Sequence, residues 1–514
     1  MSFPPDAPRL PNVVFVTVDQ WRGDLIPGGG SWLSTPNLDA LAAEATCFDR
    51  HYCQAYPCGP ARASLLTGLY AHKHRSVQNG TPLDARHRTI FQAARAAGYS
   101  PILFGYTDTT PDPRRLSPLD PARGNYAGVA PGLEVGCLLD EDARPWIARL
   151  LAKGIDIPDP SRGRDGVFEL AAFGAPTVFS AEDSETAFLA DRIIGHVRTQ
   201  GQKPFFLHAS FIAPHPPFAA AREWLDRIDP ASDPMPVATG HNQPGHPLLD
   251  VYRETLDLAG FAPGISGAPH LASDHVVRTI RHAYAALAAE ADHHIGRIIA
   301  QLKAQGLWEN TIFILSGDHG EQLFDHGLLG KLGWYDGSAH VPLMIRCPGI
   351  AGGRRIGRFT QSIDIFPTLV ELLGLQNDVN LDGASLVPLM RGERTELRDA
   401  VHWSHDFRNL ATQDMETRLG LTSAQCNLQV VRTERLKYVH FTHLPPVVYD
   451  LREDPHEAIN LADDTAGKAL RNEGVERLLN LRLAHENNEL ACLQAIGTEL
   501  FGSRTGEPGV YNLS

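Results

Sequence analysis

The stretch Asn12-Val-Val-Phe-Val-Thr-Val18-Asp19-Gln20 is an apolar, β-branched run that stops at a carboxylate. Bounded by Pro11 and Asp19, it reads as a strand buried on both faces. Asp19 and Gln20 then fall at its carboxyl end, which is where open α/β sheets bind ligands. Thr311-Ile-Phe-Ile-Leu-Ser316 is a second run of the same kind, closed by Gly317-Asp318-His319-Gly320. Neighbouring strands of this type would bring Asp19, Gln20, Asp318 and His319 around one cation. Two carboxylates, an amide oxygen and an imidazole make a mixed O/N donor set that suits a divalent metal, Ca²⁺ or Mn²⁺. Taken singly, each pair has a blander reading, since an Asp after a strand commonly forms a turn or caps a helix.

Helical segments alternate with these strands. Thr35-Pro36-Asn37 opens a helix to about Ala45, with a capping residue and a proline at the first position. A helix over Thr89–Ala97 leads to a strand over Pro101–Gly105, and a helix over Ser184–Arg198 to a strand over Pro204–Ser210. The helix Asp274–Gln305 carries Ile280, Tyr284, Leu287, Ala291, Ile295, Ile298 and Leu302 at three- and four-residue spacing. Leu343–Arg346 reads as a strand and Ile365–Leu373 as a helix. This alternation predicts an α/β fold with a large, mainly parallel sheet flanked by helices. Two Pro-rich stretches, about 109–180 and 226–269, read as long loops, the first an excursion over the active-site face. Beyond about Arg391, strands at Gln429–Val431, Lys437–Phe441 and Val447–Leu451 precede a helix at Gly467–Glu486. We therefore expect a catalytic domain over 1–390 and a smaller α+β subdomain with an antiparallel sheet over 391–514. The tail from Gly502 reads as either an ordered arm in an oligomer or a loose end.

The chain has 514 residues, 43% hydrophobic and 21% charged, as in an ordinary globular enzyme. A formal net charge of −14 argues against nucleic acid as a partner. Four prolines and no apolar core among the first eleven residues speak against a secretory signal, and no run has the length of a membrane span. Seven cysteines, irregularly spaced, form neither a zinc pattern nor a disulfide framework, so a reducing cytoplasm is expected.

One cysteine stands apart. In Cys58-Gly-Pro60-Ala-Arg62-Ala-Ser-Leu-Leu66-Thr67-Gly68, Pro60 suits a first helical position and Gly68 a C-cap. Cys58 then lies near a helix N-terminus, where N–H groups and the macrodipole favour an anion, with Arg62 one turn on. A buried structural thiol is the plain alternative. His215 follows a strand in the stiff run Ala213-Pro-His-Pro216, Lys331 follows the glycine-bearing Gly327-Leu-Leu-Gly330, and Asn79 precedes Gly80. Tyr106, Thr107 and Asp108 close the strand that starts at Pro101. Each has an ordinary reading as a loop or turn residue.

Cys58-x-Pro60-x-Arg62-x-x-x-Leu66-Thr67-Gly68 resembles the sulfatase signature at every defined position. Asp19-Gln20, Ser316-Gly-Asp318-His319-Gly, Ser362-Ile-Asp364-Ile-Phe-Pro367-Thr368 and Tyr449-Asp-Leu-x-x-Asp454-Pro-x-Glu457-x-x-Asn460-Leu461 look like further landmarks of that family, in order. The resemblance implies an alkaline phosphatase-like fold and a cysteine oxidised to formylglycine, whose hydrate is the nucleophile. It implies one divalent metal held by Asp19, Gln20, residue 58, Asp318 and His319, and a catalytic group of Cys58, Arg62, His215 and Lys331. Asn79, Tyr106, Thr107 and Asp108 are implied to contact substrate. Gln20, His319 and Tyr106 are similar to the branch of phosphonate monoester hydrolases and their arylsulfatase relatives. That branch has a threonine where Asp108 stands, and an added carboxylate disfavours an anionic substrate unless a cation pairs with it.

The expectation is therefore an arylsulfatase-type hydrolase of sulfate monoesters, promiscuous towards phosphonate monoesters and phosphodiesters. A primary phosphonate monoester hydrolase or phosphodiesterase is one alternative. A superfamily phosphotransferase or mutase with an unmodified nucleophile is another. The expected partners are a small anionic ester, a formylglycine-generating enzyme during maturation and further copies of the chain, but neither nucleic acid nor membrane.

Overall fold

The computed structural model describes residues 10–25, 32–201, 203–237, 245–375, 380–486, 493–496, 499–502 and 509–510. Its large sheet is organised around β1 (Asn12–Val18), whose seven residues are all buried. Val14, Val16 and Val18 enter one apolar cluster and Val13 and Phe15 the other, so both faces of the strand are covered. That two-sided burial is why the run is apolar without alternation.

The remaining strands of this sheet are β2 (Thr46–Tyr52), β4 (Ile102–Gly105), β5 (Glu134–Leu138), β6 (Phe206–Phe211), β7 (Thr311–Gly317), β8 (His340–Val341), β9 (Leu343–Arg346) and β10 (Arg354–Gln361). Their order is β10-β2-β9-β7-β1-β6-β4-β5, with β8 on β2. The block from β7 to β5 is parallel throughout, whereas β9 runs antiparallel to both β7 and β2. The sheet is thus mixed, and one short reversed strand joins its two parallel parts. The long helix Asp274–Ala304 and helix Glu185–Thr199 cover one face, while Cys58–Thr67, Ile90–Ala96 and Ile365–Leu373 cover the other.

Several local expectations shift. The helix at Pro36–Glu44 has no side-chain cap from Thr35; Asp292 of the long helix accepts from Leu38 N at 2.7 Å instead. The helix carrying Cys58 begins at Cys58 itself, placing Pro60 at its third residue, and Gly68 closes it with φ 68°. The stretch 226–269 contains a helix, Pro247–Thr255, capped by His246, whose Nδ1 accepts from Leu248 N at 3.2 Å.

The small sheet comprises β11 (Ala400–Asp406), β12 (Asn427–Thr433), β13 (Leu436–Phe441) and β14 (Val447–Asp450), antiparallel to one another. The two-residue strand β3 (Ala55–Tyr56), just before Cys58, adds to β11 in parallel. The small sheet is therefore not built from residues beyond 391 alone. Helix Gly467–Ala484 packs on one face and Tyr56, Trp334 and Tyr335 on the other. Of the tail, Gly509–Val510 pairs with Glu499–Gly502, and the remainder lies outside the described residues.

Candidate active site

Parallel pairing of β1 with β7 runs in register from Asn12↔Thr311 to Val18↔Gly317. The next residue on each strand is an aspartate, so Asp19 and Asp318 emerge side by side. Gln20 then turns the chain with φ 65°, a conformation costly for a residue with a side chain, and its N–H donates to Asp318 Oδ1 at 3.2 Å. Asp19, Asp318, His319 and Cys58 are all buried, and each offers a ligand atom within 4.8 Å of the others.

Hydrogen bonding decides which nitrogen of His319 faces this cluster. Nδ1–H donates to Gly320 O at 3.0 Å, so Nε2 carries the ring's lone pair, 3.5 Å from Asp19 Oδ1 and 3.1 Å from Cys58 Sγ, whose thiol donates to it. A lone pair beside two carboxylates is a cation's environment. Burial pulls the His319 imidazole towards its neutral form. Burial and then Asp19 push the Cys58 thiol well above its usual range, so the protein groups alone do not favour a thiolate.

Arg62 supplies the buried counter-charge. Its Nε donates to Asp318 at 2.9 Å and Nη2 to Asp19 at 3.2 Å, while Nη1 donates to Tyr106 O and to Ser210 Oγ, both at 2.9 Å. Its guanidinium lies 4.1 Å from the Tyr106 ring centroid, and the Tyr106 hydroxyl donates to Asp19. Burial raises the Asp19 carboxyl, but His215, His319, Arg62 and Lys331 together hold it below the usual carboxylate range.

On the open side, Lys331 Nζ donates to Gln20 Oε1 at 2.8 Å and to His215 Nε2 at 3.1 Å. His215 Nδ1–H donates to Pro216 O at 2.8 Å. Burial and the Lys331 charge hold His215 down at about 3, so it is neutral. Burial acts against the Lys331 charge, but Cys58, Asp19 and Asp318 outweigh it and raise that ammonium. Gln20 also donates from Nε2 to Glu321, whose Oε1 takes Gly330 N at 2.6 Å and Leu323 N at 2.9 Å.

These groups meet at one cavity of about 300 Å³ that contains Asp19, Cys58, Asn79, Tyr106, Asp108, His215 and Lys331 in its wall. Asn79 accepts Gly59 N at 2.8 Å, steadying the helix start beside Cys58. Asp108, at φ 45°, is raised to about 6, first by burial and then by Asp19 and Asp318 against the pull of Arg62. The excursion expected over this face does supply wall residues, among them Tyr126, Glu141, Arg164 and Asp165.

Thr107 stands outside the residues of this cavity wall: its hydroxyl donates to Gly128 O at 3.0 Å and accepts Ala130 N at 2.8 Å, bracing a loop. Ser210 and Glu321 were missed. Both had a weak signal: Ser210 ends a strand as Asp19 does, and Glu321 directly follows Asp318-His319-Gly320.

A family model described as Sulfatase matches residues 11–375, and one described as N-sulphoglucosamine sulphohydrolase, C-terminal, matches 324–484. The chain is 37% identical, over 93% of its length and 96% of the relative's, to the "multifunctional alkaline phosphatase superfamily protein PehA" of Trinickia caryophylli. It is 28% identical to a choline-sulfatase of Rhizobium meliloti, over 89% of this chain and 83% of that one. Among solved structures it is similar to the phosphonate monoester hydrolase of Agrobacterium radiobacter, with 41% identity and a TM-score of 0.91 over 96% of this chain and 99% of that one. A phosphonate monoester hydrolase from Silicibacter pomeroyi matches with 33% identity and a TM-score of 0.90, over 97% of this chain and 100% of that one. With the family model spanning most of the chain and the donor cluster at the strand ends, this protein belongs to the sulfatase family of the alkaline phosphatase superfamily, whose members are metal-dependent hydrolases.

Proposed function

We propose that the protein hydrolyses singly charged esters of phosphonate and sulfate at this cavity, with residue 58 converted to formylglycine. The carrying observation is that Cys58, Asp19, Asp318 and His319 converge within 4.8 Å of one another, and that Asp19 and Cys58 of this cluster share a cavity wall with Lys331 and His215. The sequence reading put aryl sulfates first. Similarity along nearly the whole chain to phosphonate monoester hydrolases supports putting phosphonate monoesters first and aryl sulfates second. Asp108 stands in the cavity wall, where its carboxylate opposes an anionic ester of either kind unless a cation pairs with it.

The donor set fits a divalent cation held by Asp19, Gln20, Asp318, His319 and residue 58, since the His319 Nε2 lone pair points at residue 58 and two carboxylates flank it. Such a cation, Ca²⁺ or Mn²⁺, would supply Lewis-acid stabilisation of charge on the substrate oxygens. Formylglycine at 58 would supply the hydrated aldehyde as nucleophile. The chain's own residues do the rest. Arg62 keeps Asp19 and Asp318 from repelling one another and fixes their oxygens. Lys331, charged, holds the substrate anion and donates to the departing oxygen at Nζ. His215, neutral, accepts from Lys331 and sets the direction of that ammonium. Asn79, Tyr106 and Asp108 border the bound ester.

On this reading residues 1–390 form the catalytic domain and 391–514 a subdomain. Maturation requires a formylglycine-generating enzyme, and the working protein is a cytoplasmic homo-oligomer. Mass spectrometry of the peptide containing residue 58 tests the nucleophile. An intact thiol throughout active material would point instead to a superfamily phosphotransferase. Turnover of a phenyl phosphonate ester, an aryl sulfate and a phosphodiester by one preparation tests substrate order, and faster turnover of the aryl sulfate reverses it.

A further inference from the structure

Lys331 belongs to a short strap, Gly330–Asp336, that must hold its ammonium against the floor of the cavity. At the near end, Gly330 N is tied to Glu321 within the large domain. Past Lys331 the anchors come from the small sheet, with Tyr52 of β2 beside them. Tyr56 OH donates to Gly333 O at 2.7 Å, and Trp334 Nε1 donates to Tyr449 OH at 3.0 Å. Lys437 Nζ donates to Trp334 O at 3.4 Å and pairs with Asp336 at 2.6 Å. Arg432 Nε reaches the other Asp336 oxygen at 3.1 Å, and Tyr52 OH donates to it at 3.0 Å.

Lys437 is the unusual member. It projects from β13, which lies between β12 and β14 in the small sheet, is 0% exposed, and also pairs with Glu457. A buried ammonium is a poor way to gain stability, since an apolar side chain of like volume commonly does as well. What it offers is direction: the ammonium donates to a third acceptor beyond the two strap groups, Glu457, as well as to the Trp334 carbonyl, and pairs with Asp336 at 2.6 Å. Two of those three acceptors lie on the strap that carries Lys331.

We infer that Lys437 is a positioning residue for Lys331, so that the small sheet sets the active-site ammonium without touching substrate. The inference rests on the role given to Lys331 above. Gly330 is tied on one side of Lys331 and Gly333, Trp334 and Asp336 on the other, so the strap is held at both ends.

The test uses the full chain carrying Lys437→Met with Glu457→Gln, which removes both members of the buried pair and leaves Asp336 with Arg432 and Tyr52. Tyr449→Phe, a milder loss on the same strap, serves if the double variant does not fold. Labelling of Lys331 by an amine-selective acylating reagent, read by peptide mass spectrometry, reports its position independently of catalysis. We expect labelling to rise several-fold in either variant, and unchanged labelling in a folded variant overturns the inference. Kinetics then read the consequence. With a poor alcohol leaving group, kcat should fall by about 10- to 100-fold at nearly constant KM, and much less with 4-nitrophenol. Equal losses on both substrates, as a merely structural defect would give, also overturn it where Lys331→Ala itself does discriminate between them. Lys331→Ala is the control: if it shows no leaving-group dependence while labelling still shifts, the role assigned to Lys331 fails and the positioning by Lys437 stands.

Discussion

Lys331 Nζ stands 3.1 Å from His215 Nε2, and this contact requires the imidazole to be neutral. Burial and the neighbouring ammonium place the His215 titration at about 3. The group therefore accepts a hydrogen bond over the whole working range and contributes no acid limb to activity between pH 5 and 8. His215→Ala should lower kcat by about 100-fold or more, the usual scale for losing one acid–base partner. The shape of the pH–kcat/KM profile should stay as in the parent. A limb near pH 6 that disappears in the variant would contradict the assignment.

Arg62 is the only arginine bridging the two strand-end aspartates among the described residues. Arg62→Met leaves Asp19 and Asp318 uncompensated in the interior, a loss of about 3–5 kcal/mol by comparison with other broken buried pairs. Added divalent cation should recover part of that loss and a chelator should deepen it, as read by thermal unfolding. Arg62→Lys keeps the charge but not the fork, so it should fold yet lose most activity.

Buried neutral histidines predict acid sensitivity. Burial pulls His74, His208, His294 and His402 down to about 3 and His405 to about 4, against 6.5 when free. Between those values the unfolded chain binds protons that the native chain refuses. The stability they contribute is complete above pH 6.5 and is lost as pH falls towards 3, by about 1.4 kcal/mol per pH unit for each proton. His208→Gln should reduce the slope of stability against pH by about one proton between pH 6 and 4, measured by denaturant unfolding.

Glu290 has the opposite sign. Burial raises its carboxyl from 4.5 to about 8, and its Oε1 has no hydrogen-bond partner. The native state holds the proton more tightly than the unfolded chain. Its contribution is therefore complete below pH 4.5 and is lost as pH rises through 8. Glu290→Gln, which cannot ionise, should melt higher than the parent at pH 9 and show no such gain at pH 5. An equal shift at both values would mean that packing, not ionisation, governs the site.

The primary structure alone determined a good deal here. The runs 12–18 and 311–316 announced buried parallel strands because both faces of a strand covered by helices must be apolar. Cys58, Arg62 and the strand-end pairs Asp19-Gln20 and Asp318-His319 were visible because each is local: a residue type at a helix start or at the end of a run. Tertiary structure alone decided what these residues meet. The register Val18↔Gly317 sets the aspartates side by side, and no local pattern encodes a pairing between strands almost three hundred positions apart. The strands β2 and β10 mix charged and apolar residues, since their edges find partners only in the folded sheet, so they carried no period to read. The partners of the Thr107 hydroxyl, Gly128 and Ala130, lie more than twenty positions on and are set by packing alone. Lys437 gave no sign at all of its part, because a buried charge is defined by the partners that long-range packing brings to it.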